Sequence, residues 1–103
     1  MGFEVFPVVL VVDDDRGQVA LVTSFLRKAG FRVLSANSAI LALAALEVAG
    51  EASAAISLLV TDLDMPGMSG RDFAAQLMAK YPNLKVLYVT GNADVLFQQG
   101  RVL

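Results

Sequence analysis

Two clusters of aspartate directly follow two apolar, β-branched runs, and this arrangement constrains the fold more than any other feature of the sequence. Val8–Val12 leads into residues 13–15, which are all Asp, and the run over residues 55–61 leads into Asp62 and Asp64. Continuous apolar runs of this kind are typical of strands buried on both faces of a parallel sheet. The aspartates therefore stand at the carboxyl ends of strands, where such sheets bind their ligands.

Along the rest of the chain the hydrophobic period alternates between helix-like and strand-like. In the first helical stretch the spacing places Val22 and Leu26 on the buried face, with Phe25 beside them and Thr23 on the opposite side. The alternation favours an α/β fold with a mostly parallel sheet and helices on both faces. We predict helices over residues 16–29, 39–49 and 71–80, further strands over residues 31–35 and 84–89, and a short helix from about residue 93 to 99.

The composition excludes several classes of function. The 103 residues suffice for one domain, and they include no His and no Cys, which excludes Ser-His chemistry, zinc sites of the usual ligands and disulfides. The net charge of -2 argues against nucleic-acid binding. The apolar runs are too short to span a membrane and the first residues do not fit a signal peptide, so we expect a cytoplasmic protein.

The two acidic clusters predict a cation site if the strands that carry them are neighbours. Two unit charges about 4 Å apart repel by roughly 4 kcal/mol at an effective dielectric constant near 20. Such a cluster either raises its pKa values or binds a cation, and an all-oxygen site suits Mg²⁺. One Asp could then act as a nucleophile that forms an aspartyl phosphate. Taken singly, each Asp would more simply cap a helix.

Three segments carry a more specific resemblance. Residues 9–15, 59–70 and 86–91 resemble the receiver domain of two-component response regulators, above all in the Asp-Leu-Asp-Met-Pro-Gly-Met-Ser-Gly stretch. The resemblance implies a flavodoxin-like, doubly wound α/β/α fold with strand order 2-1-3-4. It also implies that the chain is not an enzyme but a signalling domain, which accepts a phosphoryl group from a phosphohistidine on a sensor histidine kinase or a phosphotransfer protein.

The resemblance also assigns roles to individual positions. Asp62 matches the phosphoacceptor, and Asp13 and Asp14 match the acidic pair that binds Mg²⁺ together with Asp62. Asp14 matches the more direct ligand, and Asp13 acts mainly through water. The remaining matches are Asp64, whose backbone carbonyl binds the metal and whose side chain tunes dephosphorylation; Thr90, the switch hydroxyl; Gly91, the small residue beside the phosphoryl group; and Asn92, the second tuning position.

The sequence departs from the family pattern after the fourth strand. No Lys follows Lys85, so the family's fifth-strand Lys has no counterpart, and we expect residues 1–103 to form a single receiver domain that is incomplete at its C-terminus. Without a fifth strand, the fourth would form an apolar sheet edge, which is a template for association. We therefore expect a homodimer through this edge.

Two other functions stay open at this point. Because the Lys is missing, a protein-interaction domain that works without phosphorylation stays open as an alternative to the phosphoacceptor. The Asp62-Leu-Asp64 spacing also fits the Asp-x-Asp of haloacid-dehalogenase-type phosphatases, in which the first Asp is the nucleophile. Against the phosphatase, the motif lies far from the N-terminus and no Gly-Thr follows it.

Overall fold

The computed structural model describes residues 8–50, 56–89, 96–98 and 101–102. In these ranges the strands are β1 (Val8–Val12), β2 (Arg32–Ala36), β3 (Ile56–Asp62), β4 (Lys85–Val89), β5 (Leu96–Gln98) and β6 (Arg101–Val102). The helices are α1 (Arg16–Lys28), α2 (Ala39–Ala49) and α3 (Gly70–Lys80).

One sheet has the strand order β2-β1-β3-β4-β5-β6. The first four strands of this order are parallel, which confirms the predicted order 2-1-3-4. Helices α1, α2 and α3 return the chain to the opposite end of the sheet after β1, β2 and β3, so the carboxyl ends of β1 and β3 lie side by side. The apolar, β-branched runs predicted the strands β1 and β3, and the resemblance to receiver domains predicted that the two are neighbours.

Two layers of helices enclose the sheet and divide the core. On one face, α2 and α3 cover a cluster that includes Leu10, Leu59 and the fully buried Phe73. On the other face, Val22 and Leu26 of α1 cover a smaller cluster of valines. Since β1 contributes to both clusters, it is buried along its whole length, as its continuous apolar sequence predicts.

Side-chain oxygens cap all three helices. The Asp15 carboxylate accepts from the Gln18 amide at 3.2 Å, the Ser38 hydroxyl from Leu41 at 3.1 Å, and the Ser69 hydroxyl from Asp72 at 3.1 Å. The simple capping role is therefore correct for Asp15. Because Asp15 caps α1, Asp13 and Asp14 are left for another role.

Two predictions about α1 are wrong in detail. The periodicity predicts Thr23 on the polar side, yet it is only 6% exposed, whereas Phe25, predicted beside the buried face, is 72% exposed. The helix packs against β1 and β2, at the edge of the sheet, and its buried residues there include Thr23 but not Phe25. A single-helix periodicity cannot show this difference, because it depends on where the helix crosses the sheet.

The segment after β4 also differs from the prediction. The sequence predicts a short helix over residues 93–99, but β5 occupies Leu96–Gln98 and pairs with β4 in antiparallel fashion. A short apolar segment does not distinguish helix from strand by its period, and the available edge of β4 favours a strand. The edge of β4 that the sequence leaves free is therefore paired with β5 in this structure, and the homodimer through that edge stays a prediction.

Candidate functional site

Parallel pairing brings the two acidic strand ends together. Val12 of β1 lies opposite Thr61 of β3, so Asp13 and Asp62 are the next residues along two hydrogen-bonded neighbours. On the far side of β3, Asp62 lies opposite Val89 of β4. The carboxyl ends of β1, β3 and β4 thus meet at one edge of the sheet.

Three carboxylates converge at this edge. One carboxylate oxygen from each of Asp13, Asp14 and Asp62 lies within 4.8 Å of the other two. Asp13 is 8% exposed, Asp62 is half-buried and Asp14 is exposed, so the cluster has a closed side and an open side. The sequence predicted this juxtaposition from the positions of the aspartates at the ends of adjacent strands.

Asp13 is fixed by hydrogen bonds at both its backbone and its side chain. Its amide donates to the Ala36 carbonyl of β2 at 3.3 Å, and its Oδ1 accepts from the Asp15 amide at 2.9 Å. Burial raises the pKa of Asp13 above its ordinary value, the Asp15 amide opposes this, and the nearby charge of Asp14 adds to it. The hydrogen bonds therefore hold the Asp13 carboxylate in place, while burial and the neighbouring charge disfavour its ionised form.

The pKa of Asp62 is shifted further than that of Asp13. Burial, together with the carboxylates of Asp13 and Asp14, raises the pKa of Asp62 to about 6, although the Asp64 amide acts in the opposite direction. That amide donates to Oδ1 of Asp62 at 3.4 Å. The charged form of Asp62 is thus held in place by a backbone donor but disfavoured by its surroundings, and a nearby cation would relieve this.

The protein beneath the carboxylates is tightly packed. A cavity of about 10 Å³ adjoins Asp13 and Asp62, and its other lining residues are valines together with Gln18 and Thr61. This is about the room that one water molecule needs. The exposed side of the cluster is the one at which Asp14 lies.

The donor set fits Mg²⁺. The ion prefers oxygen ligands, is usually held by one or two carboxylates and keeps several waters, which the open side of the cluster allows. Burial and the neighbouring carboxylates raise the pKa values of Asp13 and Asp62, and a bound cation would favour their charged forms. Among the described residues, this is the one group of carboxylates close enough together to share a metal ion.

The other predicted site residues fall into two groups. Asp64 has an exposed side chain outside the carboxylate cluster, and its link to the site is the backbone amide that donates to Asp62. Thr90, Gly91 and Asn92 lie outside the described residues. Their predicted roles beside the phosphoryl group stay predictions.

Comparisons with known proteins decide the family. The model of the response regulator receiver domain matches residues 9–100. The chain belongs to the response regulator receiver domain family. The conclusion drawn from the quoted motifs is thereby confirmed, and the phosphatase interpretation is not supported.

Relatives and solved structures agree with this receiver assignment. The chain is 36% identical over 91 residues to the C4-dicarboxylate transport transcriptional regulatory protein DctD of Rhizobium meliloti, and the match covers 86% of this chain but only 18% of that protein. A receiver domain protein from Clostridium thermocellum superposes with a TM-score of 0.72 at 28% identity, covering 86% of this chain and 68% of that one.

A second similar structure contains a ligand. Response regulator protein TrrA from Thermotoga maritima, in complex with Mg(2+)-BeF, has a TM-score of 0.68 at 27% identity, and the match covers 82% of this chain and 70% of that one. Together with the strand order of the sheet, these similar structures confirm the predicted flavodoxin-like fold.

None of the helices in the described part of the chain combines the length and the apolarity needed to cross a bilayer.

Sequence reasoning missed one residue that contacts the site. Gly70 closes the Asp-Leu-Asp-Met-Pro-Gly-Met-Ser-Gly stretch that carries the family resemblance, but the sequence analysis assigns it no role of its own, and in the structure its Cα lies against the carbonyl group of Asp62. The available signals were its place in that motif and its position as the first residue of the helix that follows the loop after Asp62.

Proposed function

We propose that this receiver domain accepts a phosphoryl group on Asp62 from a phosphohistidine, with Mg²⁺ held by Asp13, Asp14 and Asp62. The observation that supports this most is the convergence of the three carboxylates within 4.8 Å. The donor would be a sensor histidine kinase or a phosphotransfer protein. The domain acts as a signalling module that assists only its own phosphorylation and dephosphorylation.

In the proposed reaction a carboxylate oxygen of Asp62 attacks the phosphorus atom of the donor. A phosphorus–oxygen bond forms, the phosphorus–nitrogen bond breaks, and the electron pair of the broken bond stays on the imidazole nitrogen. The Asp64 amide donates to Oδ1 of Asp62, which would restrict rotation of the carboxylate during the attack. Mg²⁺, when bound, neutralises the charge on the phosphoryl oxygens.

Residues around the carboxylates complete the proposal. The Asp64 backbone carbonyl would add a metal ligand, and the Thr90 hydroxyl would bind a phosphoryl oxygen. Gly91 would leave space beside the phosphoryl group, and the side chains of Asp64 and Asn92 would set the rate of dephosphorylation. The chain spans 18% of the length of its relative DctD, so the proposal concerns the receiver domain and not the other parts of such a longer protein.

Incubation with acetyl phosphate and Mg²⁺, followed by intact mass measurement, tests the proposal. We expect a mass gain of one phosphoryl group, lost in Asp62→Asn and retained in Asp72→Asn. Asp72 is a suitable control because it is an exposed Asp in the first turn of α3. No mass gain in the wild-type protein would contradict the proposal and favour an interaction domain that works without phosphorylation, and phosphatase turnover would favour the enzyme.

A further inference from the structure

Gly70, the first residue of α3, lies against the backbone at the end of β3. A Cβ atom built on Gly70 would overlap the carbonyl oxygen of Asp62 and would lie 2.9 Å from its carbonyl carbon and 3.1 Å from the Cα of Leu63. Ordinary contacts of a Cβ atom begin near 3.4 Å. Any side chain at this position would therefore push α3 away from β3 or rotate the peptide group of Asp62.

Hydrogen bonds hold the same stretch of backbone. The Gly70 amide donates to the Leu63 carbonyl at 2.8 Å and so closes the loop of residues 63–70. The Leu63 amide donates to the Val89 carbonyl of β4 at 3.3 Å, and the Thr61 hydroxyl donates to the Asp62 carbonyl at 3.1 Å. The peptide group that follows the Asp62 side chain is thus fixed at both its carbonyl and its amide, and Gly70 lies directly against it.

Backbone conformation does not explain this glycine. Among the described residues, the glycines with positive φ are Gly30, Gly50 and Gly67, whereas Gly70 has the conformation of a helix. A helix ordinarily favours Ala over Gly. The feature that the structure requires at position 70 is therefore the lack of a side chain.

We infer that Gly70 is a positioning residue for the phosphoacceptor site. Its bare Cα lets α3 approach β3 closely enough to set the peptide plane of Asp62, and with it the distance from the Asp62 carboxylate to Asp13 and Asp14. The closed loop also sets the position of Asp64, whose amide donates to Asp62. The inference rests on the proposed function, because it concerns the same Mg²⁺ and phosphoryl site.

The test compares Gly70→Ala with Gly17→Ala. Both glycines lie in the first turn of a helix next to the site, but a Cβ at Gly17 would meet only the Asp15 carboxylate, at 3.3 Å. Mg²⁺ is titrated into each protein while the amide signals of Asp13, Asp14 and Asp62 are followed by NMR. We expect Gly70→Ala to weaken Mg²⁺ binding by about tenfold or more, which is typical when the groups that orient metal ligands are disturbed, and Gly17→Ala to change it less than about twofold.

Two further measurements separate positioning from a general loss of stability. Urea unfolding at low temperature identifies conditions in which both variants are folded. Under these conditions the maximal phosphorylation rate at saturating acetyl phosphate is compared among the wild-type protein, Gly70→Ala and Gly17→Ala. We expect this maximal rate to fall in Gly70→Ala, because the carboxylate is misplaced. Thr61→Val removes the hydroxyl that donates to the same carbonyl and adds no bulk, so we expect a several-fold weakening of Mg²⁺ binding in a folded chain.

A folded Gly70→Ala protein with wild-type Mg²⁺ affinity and phosphorylation rate would overturn the inference. An unfolded Gly70→Ala chain together with an unaffected Thr61→Val protein would also overturn it, since the close approach would then serve the fold alone. If the wild-type protein binds Mg²⁺ without being phosphorylated, the proposed function fails while the Mg²⁺ titration still tests Gly70. If wild type and Gly70→Ala are phosphorylated equally, only the inference fails.

Discussion

At the scale of residues, neighbouring positions in the acidic clusters have different roles. Asp15 caps α1, Asp13 is buried and accepts from the Asp15 amide, and Asp14 is exposed at the mouth of the site. The same side-chain chemistry therefore supplies a helix cap, a buried carboxylate and an exposed one within three residues. Packing two of these carboxylates against Asp62 costs electrostatic energy, which is consistent with a site built for a cation.

The raised pKa of Asp62 predicts how the stability of the metal-free protein depends on pH. The folded state holds its proton up to about pH 6, whereas an unfolded Asp releases it near its ordinary pKa of 3.8. Between these values the folded state binds more protons, so the free energy of unfolding falls as the pH rises and then levels off above about 6. Asp13 acts in the same direction, because its pKa is also raised.

Urea unfolding at about pH 4.5 and about pH 7 in the presence of a chelator would measure this effect. We expect lower stability at the higher pH from these groups, a smaller difference in Asp62→Asn, and recovery at the higher pH when Mg²⁺ is added. Equal pH dependence in wild type and Asp62→Asn would contradict the assignment of the shift to Asp62.

At the scale of elements, α1 shows where a sequence pattern is insufficient. Its apolar residues predicted a helix with Val22 and Leu26 inward, and both are packed against the sheet. The burial of Thr23 and the exposure of Phe25 depend on how the helix is rotated over β1 and β2, which no local pattern specifies. The strand at residues 96–98 was missed for a similar reason, since pairing with β4 decides its conformation.

Thr23 provides a prediction about stability at this scale. Its hydroxyl is buried and has no hydrogen-bond partner among the described residues, so Thr23→Val should remove a desolvation cost and stabilise the protein by about 1 kcal/mol. Thr61→Val should instead lower the free energy of unfolding, because it removes the hydroxyl that donates to the Asp62 carbonyl. Urea unfolding of the two variants would check this, and destabilisation by Thr23→Val would contradict it.

At the scale of the whole molecule, the strands and the acidic residues at their ends were predictable from apolar runs, and the sheet order that brings the carboxylates together was predictable from the resemblance to receiver domains. The close approach of α3 to β3 was not, because the sequence shows that Gly70 is present but not that it lies against the Asp62 carbonyl. The domain depends on two unequal core clusters, of which the larger joins α2 and α3 to the sheet.

A matched pair of phenylalanines tests this account of the core. Phe73 of α3 is fully buried in the larger cluster, whereas Phe25 of α1 is 72% exposed. We expect Phe73→Ala to reduce the free energy of unfolding by about 3–5 kcal/mol, a large fraction of the stability of a small domain. We expect Phe25→Ala to cost less than about 1 kcal/mol, and similar losses by thermal or urea unfolding would contradict the packing described.

Mg²⁺ binding measured by isothermal titration calorimetry, at about one pH unit or more above the raised pKa of Asp62, tests the central claim most directly. We predict one ion per chain for the wild-type protein and for Asp72→Asn. In Asp13→Asn, Asp14→Asn and Asp62→Asn we predict affinity weakened by about tenfold or more. Wild-type affinity in Asp62→Asn, or no saturable binding by the wild-type protein, would contradict the claim that these three carboxylates form one magnesium site.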